Sequence, residues 1–340
     1  MSIQDVKKGV LDASVIVEIG GNHEGDINYA FSLIDKAIRA GGKNIKLQSY
    51  TGMSLVNHIL DASRVAHFDR FSIPYEGQVE LAKYVLDNGA NFMSSLWDED
   101  SFQMLDPFIK IHKVGSGDLN NYQMLSLLAS TGKPLILSTA MADIELISKS
   151  VGFLQTRFPK YREPNQLAIL HCVAMYGDLT DSFANIDAIY HLKQSFPDLV
   201  IGYSDHTAGV VASIMGLGKG AAITEVHFTD DKAREFRDHH LAVDEHELSL
   251  LIEADRRVHA LNGSGEKDVV EQVETKDRIR EFRRACYLSR DYEPGETIQE
   301  KDVVCLRPNE GLDASQIYKL IGKSAKTSIQ AFLPLSWSFF

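Results

Sequence analysis

From Val15 to about Leu261, short apolar runs rich in β-branched residues alternate with longer stretches of helical period. The runs are Val15–Gly20, Asn44–Ser49, Asn91–Leu96, Ile111–Gly115, Pro134–Ser138, Leu167–Cys172, Val200–Ser204 and Ala221–Phe228. Between them lie amphipathic segments such as Tyr29–Ala40, Gly77–Asn88, Gln123–Thr131, Ile144–Phe158, Ile186–Phe196 and Ala208–Lys219, and Asp244–Leu261 follows the last run. Eight strand–helix units in series are the number that closes a TIM (β/α)8 barrel. An open doubly wound sheet is the rival, but no GxGxxG turn follows the first run. The spacing therefore predicts a barrel over residues 1–261.

The periodicity then breaks. Asn262–Arg280 is polar and charged, and 262–283 reads as a linker. Residues 284–340 change character, with a Glu293-Pro294-Gly295-Glu296 turn, a short strand at Val303–Leu306 and a short helix near Ala314–Leu320 closed by Gly322. This is a small β-rich module, too short to hold a large core by itself.

Composition narrows the function class. The 340 residues are 44% hydrophobic and 24% charged, with a formal net charge of −12. That balance belongs to a soluble globular protein and argues against nonspecific nucleic-acid binding, which needs clustered cations. Three cysteines without a CxxC pair suggest a reducing compartment. The first ten residues lack the apolar run of a signal peptide and no segment is apolar enough to span a bilayer, so a cytoplasmic location is expected.

Barrel chemistry sits at the C-terminal ends of the strands. Nearly every run here delivers polar side chains at that end: Glu18, Asn22 and His23; Lys46 and Gln48; Ser94 and Ser95; Lys113, Ser116 and Asp118; Ser138 and Thr139; His171 and Tyr176; Ser204, Asp205 and His206; Glu225 and His227. Two lysines inside apolar strands are costly to bury unless they meet anions. With the hydroxyls of Ser95, Ser116, Ser138 and Ser204 they can cradle a phosphate and a carboxylate. The alternative pairs each lysine with Glu18, Asp118 or Glu225 as internal structure.

His206 and His227 end neighbouring strands, where both imidazoles can reach one ion. A two-histidine site leaves positions open for water and substrate oxygens and suits a divalent ion of the Mn type. The competing reading is a pair of hydrogen-bonded core histidines. Tyr176 reads equally as rim packing, and Cys172, inside an apolar strand, as a small buried residue.

These segments, in this order, resemble the N-acetylneuraminate (sialic acid) synthase family, which includes the legionaminic and pseudaminic acid synthases. The resemblance rests on Asn22-His23-Glu24-Gly25, Lys46-Leu47-Gln48, Lys113-Val114-Gly115-Ser116-Gly117-Asp118, Ser138-Thr139-Ala140-Met141, Gly202-Tyr203-Ser204-Asp205-His206-Thr207 and Glu225-Val226-His227-Phe228-Thr229. The C-terminal segment is similar to the family's antifreeze-like (SAF, β-clip) domain through Pro294-Gly295-Glu296, Arg307-Pro308-Asn309-Glu310-Gly311 and Ile321-Gly322-Lys323.

The resemblance implies condensation of phosphoenolpyruvate with an acylamino sugar, assisted by a divalent metal (Mn, with Mg or Co as alternatives) on His206 and His227. Lys46, Ser95, Lys113, Ser116, Ser138 and Ser204 would hold phosphoenolpyruvate. Glu18 and Asp118 would handle protons or position water, and Lys113 counts with them among the catalytic groups. Gln48, Tyr176 and Asp238 would face the sugar, and Arg307 would reach it across a domain-swapped homodimer. The chain departs from the family pattern at Ser94-Ser95-Leu96-Trp97, Ala140, Ala174, Val226 and Glu235-Phe236-Arg237-Asp238. Two other readings stand beside this one: a barrel aldolase using Lys113 as a Schiff base, and a non-catalytic homologue that binds a sugar acid or a partner protein.

Overall fold

A computed structural model of the chain describes residues 15–175, 181–235 and 238–340. The chain divides into two compact units between Gly263 and Ser264. The first is an eight-stranded parallel barrel of the TIM type. Its strands are β1 (Val15–Glu18), β2 (Asn44–Ser49), β3 (Asn91–Leu96), β4 (His112–Val114), β5 (Leu135–Ser138), β6 (Leu167–Cys172), β7 (Val200–Asp205) and β8 (Thr224–His227). Neighbours run in the order β3-β2-β1-β8-β7-β6-β5-β4, and β3 and β4 lie side by side at the seam.

Four strands span the expected residues in full: β2, β3, β6 and β7, the last running one residue further to Asp205. The last expected run, Ala221–Phe228, is cut back to Thr224–His227. Ala221 belongs to the turn after the preceding helix, its N–H donating to Gly216 O at 2.9 Å, whereas the Ala222 N–H already crosses to Ile201 O on β7 at 2.8 Å. The seven expected helical segments form helices at Ile27–Arg39, Tyr75–Asp87, Tyr122–Ser130, Ile144–Arg157, Ala188–Ser195, Val211–Gly218 and Glu245–Asn262. Side-chain caps fix several starts. Asp26 accepts from the N–H of Asn28 and Tyr29, and Asp244 forms a capping box with Glu247. Helices at Gly52–Leu55, Ala62–Phe71 and Glu99–Leu105 were not expected from the periodicity.

Strand alternation sorts the side chains into two cores. Val15, Val17, Ile45, Leu47, Leu135 and Leu137 point outward and pack with Leu33, Ile34, Leu81 and Val85 of the surrounding helices. Inside the barrel, Ile16, Met93, Ile111, Ile136, Ala168, Leu170, Val200 and Ile223 form a separate apolar cluster. Two residues further along five of the strands the lumen turns polar: Glu18 follows Ile16, Ser95 follows Met93, Lys113 follows Ile111, Ser138 follows Ile136 and Glu225 follows Ile223. On β2 the position before Lys46 is Asn44, satisfied by Val15 O and Asn91. The barrel is thus plugged below and polar above.

Gly202 shows how tight the plug is. A Cβ there would come within 2.4 Å of Leu170 Cδ2 and 2.5 Å of Ile223 O. Only glycine leaves room for Leu170 to fill the lumen.

In the second unit β9 (Ala285–Leu288) pairs antiparallel with β10 (Val303–Leu306). Isolated bridges at Tyr292–Ile329 and Thr297–Ser324 complete the β-rich module, around a core of Cys286, Leu288, Tyr292, Ile298, Leu320 and Ile329. The short helix appears as a 3-10 turn at Ala314–Gln316 running into Ile317–Leu320, and Gly322 follows with φ of 82°. A helix at Lys276–Phe282 stands inside the stretch read as a linker.

Candidate active site

The polar layer lines a cavity of about 390 Å³ at the C-terminal mouth of the barrel. Its centre is Glu225, buried on β8. Glu225 Oε1 lies 3.3 Å from Lys113 Nζ, and its other oxygen lies 3.8 Å from Lys46 Nζ. The Ser204 hydroxyl donates to Glu225 Oε1 at 3.1 Å. Lys46 also pairs closely with Glu18, its register partner on β1, while Lys113 donates to Ser138 Oγ at 2.7 Å. The reading that each lysine meets an internal carboxylate therefore holds for both. It does not empty the site, because both ion pairs face the cavity.

The charges reinforce one another. Burial alone would raise the Glu225 carboxyl, but Lys113 and then Lys46 overcome it and hold the acid below its ordinary range. Burial also pulls the Lys46 ammonium down to about 7, against the pull of Glu225. Asp118, nearer the rim, moves the other way: burial raises it, although Asn121 and the Trp97 indole hydrogen-bond to it.

His206 and His227 face one another edge to face with ring centroids 5.1 Å apart. Burial lowers both to about 4, helped by His227 in the first case and by Lys46 in the second. At neutral pH both imidazoles are therefore uncharged and offer lone pairs. Nδ1 of His227 is buried without a hydrogen bond, and Asp238 Oδ2 stands 3.7 Å away. An orphaned imidazole nitrogen beside a second neutral imidazole and a carboxylate fits a divalent cation. Among the described residues no group of three His, Cys, Asp or Glu is placed to hold a metal. Water or substrate oxygens would have to complete the shell.

A family model, the NeuB family, matches residues 33–267, well over half of the chain. The chain belongs to the NeuB family. Residues 283–340 match the SAF domain. Among NeuB-family relatives, the N,N'-diacetyllegionaminic acid synthase of Legionella pneumophila is 31% identical over 95% of this chain and 93% of its own. The pseudaminic acid synthase of Campylobacter jejuni is 29% identical over 93% of each. A solved structure of the N-acetylneuraminic acid (sialic acid) synthetase of Leptospira borgpetersenii superposes with a TM-score of 0.70 at 28% identity, covering 78% of this chain and 91% of that one. The fold expected from the sequence, a TIM barrel followed by a SAF domain, is the fold of this NeuB-family chain.

Most of the residues singled out from the sequence gather around the cavity. Glu18, Lys46, Gln48, Ser95, Lys113 and Ser116 line it, as do Asp118, Ser138, Ser204, His206, His227 and Asp238. Tyr176 and Phe236 lie outside the described residues. Arg307 belongs to the second unit, where its guanidinium sits 5.5 Å over the Phe282 ring. His171 turns away from the lumen: Nε2 is 2.9 Å from Ala184 O, and the ring stacks on Tyr203.

The sequence reading placed Glu225 with His227 at a strand end and offered it as an internal partner for a lysine, but gave it no role toward a ligand; both line the cavity. Trp97, Arg64 and Cys172 also line the cavity. Cys172 Sγ lies 3.6 Å from His206 Nδ1, and burial pushes its thiol up to about 11. Alternation places Cys172, two residues beyond Leu170, in the lumen; its apolar strand concealed that. Of the departures, Val226 falls on the outer face and packs in the helix-side core. Ala140 lines the cavity, and its N–H donates to Ser116 Oγ at 3.0 Å.

Proposed function

We propose that this chain is a nonulosonic acid synthase. It condenses phosphoenolpyruvate with N-acetylmannosamine or a related acylamino sugar and water, and releases phosphate. The observation that carries this reading is the convergence of Lys46 and Lys113 on Glu225, beside the neutral pair His206 and His227. Two ammonium groups at the floor of a cavity match the phosphate and carboxylate of phosphoenolpyruvate, with Ser95, Ser116, Ser138 and Ser204 supplying hydroxyls.

His206 and His227 would hold a divalent cation, Mn²⁺ before Mg²⁺ or Co²⁺, which supplies Lewis acidity toward the aldehyde oxygen. C3 of phosphoenolpyruvate attacks the aldehyde carbon, the aldehyde oxygen takes a proton and becomes a hydroxyl, and water adds at C2. Loss of phosphate with C–O cleavage leaves the keto acid. Asp118, with its raised carboxyl, serves as the proton carrier near the rim. Glu18, held by Lys46, orients the water. Glu225, kept ionised, tethers the two lysines. Gln48, Asp238 and Tyr176 face the sugar, with Arg307 reaching its acylamino group from the partner chain of a domain-swapped homodimer in the cytoplasm.

Schiff-base chemistry is less well supported, since the Lys113 nitrogen is engaged by Ser138 and Glu225. The deciding assay follows phosphate and product mass with phosphoenolpyruvate, Mn²⁺ and a panel of acylamino sugars. Phosphate release requiring all three components is expected. Release without a sugar, or borohydride trapping of a carbonyl substrate on Lys113, would remove the reading.

A further inference from the structure

The second unit carries a pair of thiols with no place in the chemistry above. In the β9–β10 ladder Cys305 stands directly opposite Cys286. The Ser289 N–H crosses to Asp302 O at 2.8 Å, so odd-numbered residues of this strand hydrogen-bond to β10. The Cys286 N–H points the other way and donates to Leu312 O at 2.7 Å. Cys286 and Cys305 are therefore a non-hydrogen-bonded pair, the closer of the two kinds, with Cα atoms typically about 4.5 Å apart. That separation falls within the range a disulfide spans, about 4.4–6.8 Å. Directly opposed residues also share a face of the sheet, and both sulfurs pack into the same apolar cluster.

We propose that Cys286 and Cys305 are a redox modification site that closes reversibly to a cross-strand disulfide when a low-molecular-weight disulfide is the oxidant. Cys305 is half-buried, whereas Cys286 is fully buried. The Cys305 thiolate attacks one sulfur of the oxidant, forms a mixed disulfide and expels the first thiolate. Cys286 then loses its proton and attacks Cys305 Sγ, expelling the second. One oxidant disulfide becomes two small thiols, which carry away the two protons, and the chain gains one S–S bond. The order follows from access, and it agrees with the Cys286 thiol being pushed up to about 12 by burial and by the adjacent Cys305 sulfur. The bond would pin β10 two positions before Arg307. The inference stands apart from the proposed reaction, since it needs no substrate.

The full-length protein is reduced, equilibrated anaerobically in reduced and oxidised glutathione at increasing ratios, alkylated under denaturing conditions and digested with trypsin without reduction. The expected product joins the peptide 285–290 to the peptide 302–319, two hydrogens lighter than their sum. Its yield should rise in a single two-electron transition, while Cys172 remains alkylated. Cys286→Ser should leave Cys305 as a mixed disulfide with glutathione, and Cys305→Ser should leave Cys286 alkylated. Separate alkylation of both thiols in the most oxidising buffer would overturn the proposal. So would Cys305 glutathionylation that never resolves in the unsubstituted chain.

Discussion

Lys113 and Glu225 meet at 3.3 Å across the lumen, although their strands, β4 and β8, lie on opposite sides of the barrel. The pair is buried, and removing one charge would leave the other without its partner in a low-dielectric interior.

Lys113→Met is expected to destabilise the fold by about 3–5 kcal/mol, because the buried Glu225 carboxylate is left with the Ser204 hydroxyl and the more distant Lys46 ammonium at 3.8 Å. Lys113→Met with Glu225→Gln should recover most of that loss while phosphate release stays absent. Denaturant titrations of the single and double variants measure the coupling. Equal stability of Lys113→Met and the unsubstituted protein would show that the bridge contributes nothing to the fold.

His227→Ala is expected to weaken Mn²⁺ binding by about 100-fold or more, since losing even a partner behind a metal ligand costs about 10–100-fold. Calorimetric titration of the metal alone reads this without an activity assay. His171→Ala should leave metal affinity unchanged, because His171 faces Ala184 and Tyr203 outside the lumen.

His23 is buried, and burial lowers it to about 4 from an ordinary value of 6.5. The unfolded chain takes up this proton first, so the stability contributed by the neutral ring is intact above pH 6.5 and lost as the pH falls to about 4. The loss from this one group amounts to about 3 kcal/mol. Denaturant midpoints should therefore drop between pH 6.5 and 4, and His23→Gln should flatten that part of the profile.

Gly202→Ala is expected to lower stability by about 1–3 kcal/mol through overpacking against Leu170 and Ile223. Adding Leu170→Ala should relieve the clash at Cδ2 but leave the one at Ile223 O. Thermal unfolding of the single and double variants should therefore show partial rescue.

If Arg307 completes the site from a partner chain, Lys113→Met and Arg307→Ala proteins should each be inactive alone. Refolded together, they should regain activity in mixed dimers that pair an intact barrel with an intact Arg307. No recovery on mixing would place Arg307 outside the site.

The barrel was legible because its strands are apolar on both faces: Ile16 fills the lumen while Val15 and Val17 pack on the helices, which gives an unbroken apolar run. The site was legible because polar residues recur at the C-terminal strand ends. Hidden were features that depend on distance across the barrel. Nothing local in Glu225 reveals that it meets Lys113 four strands away. The Ala62–Phe71 helix escaped notice because it buries only Val65, Phe68 and Phe71, a weak periodic signal. Ala285–Leu288 escaped because four residues carry too little alternation to stand out.

The apolar plug of Ile16, Leu170, Ile223 and their neighbours turns the barrel into a blind well with one opening. For the condensation proposed above, a single doorway would impose an order of entry: phosphoenolpyruvate, seated against the lysines, would go in before the sugar that rests above it.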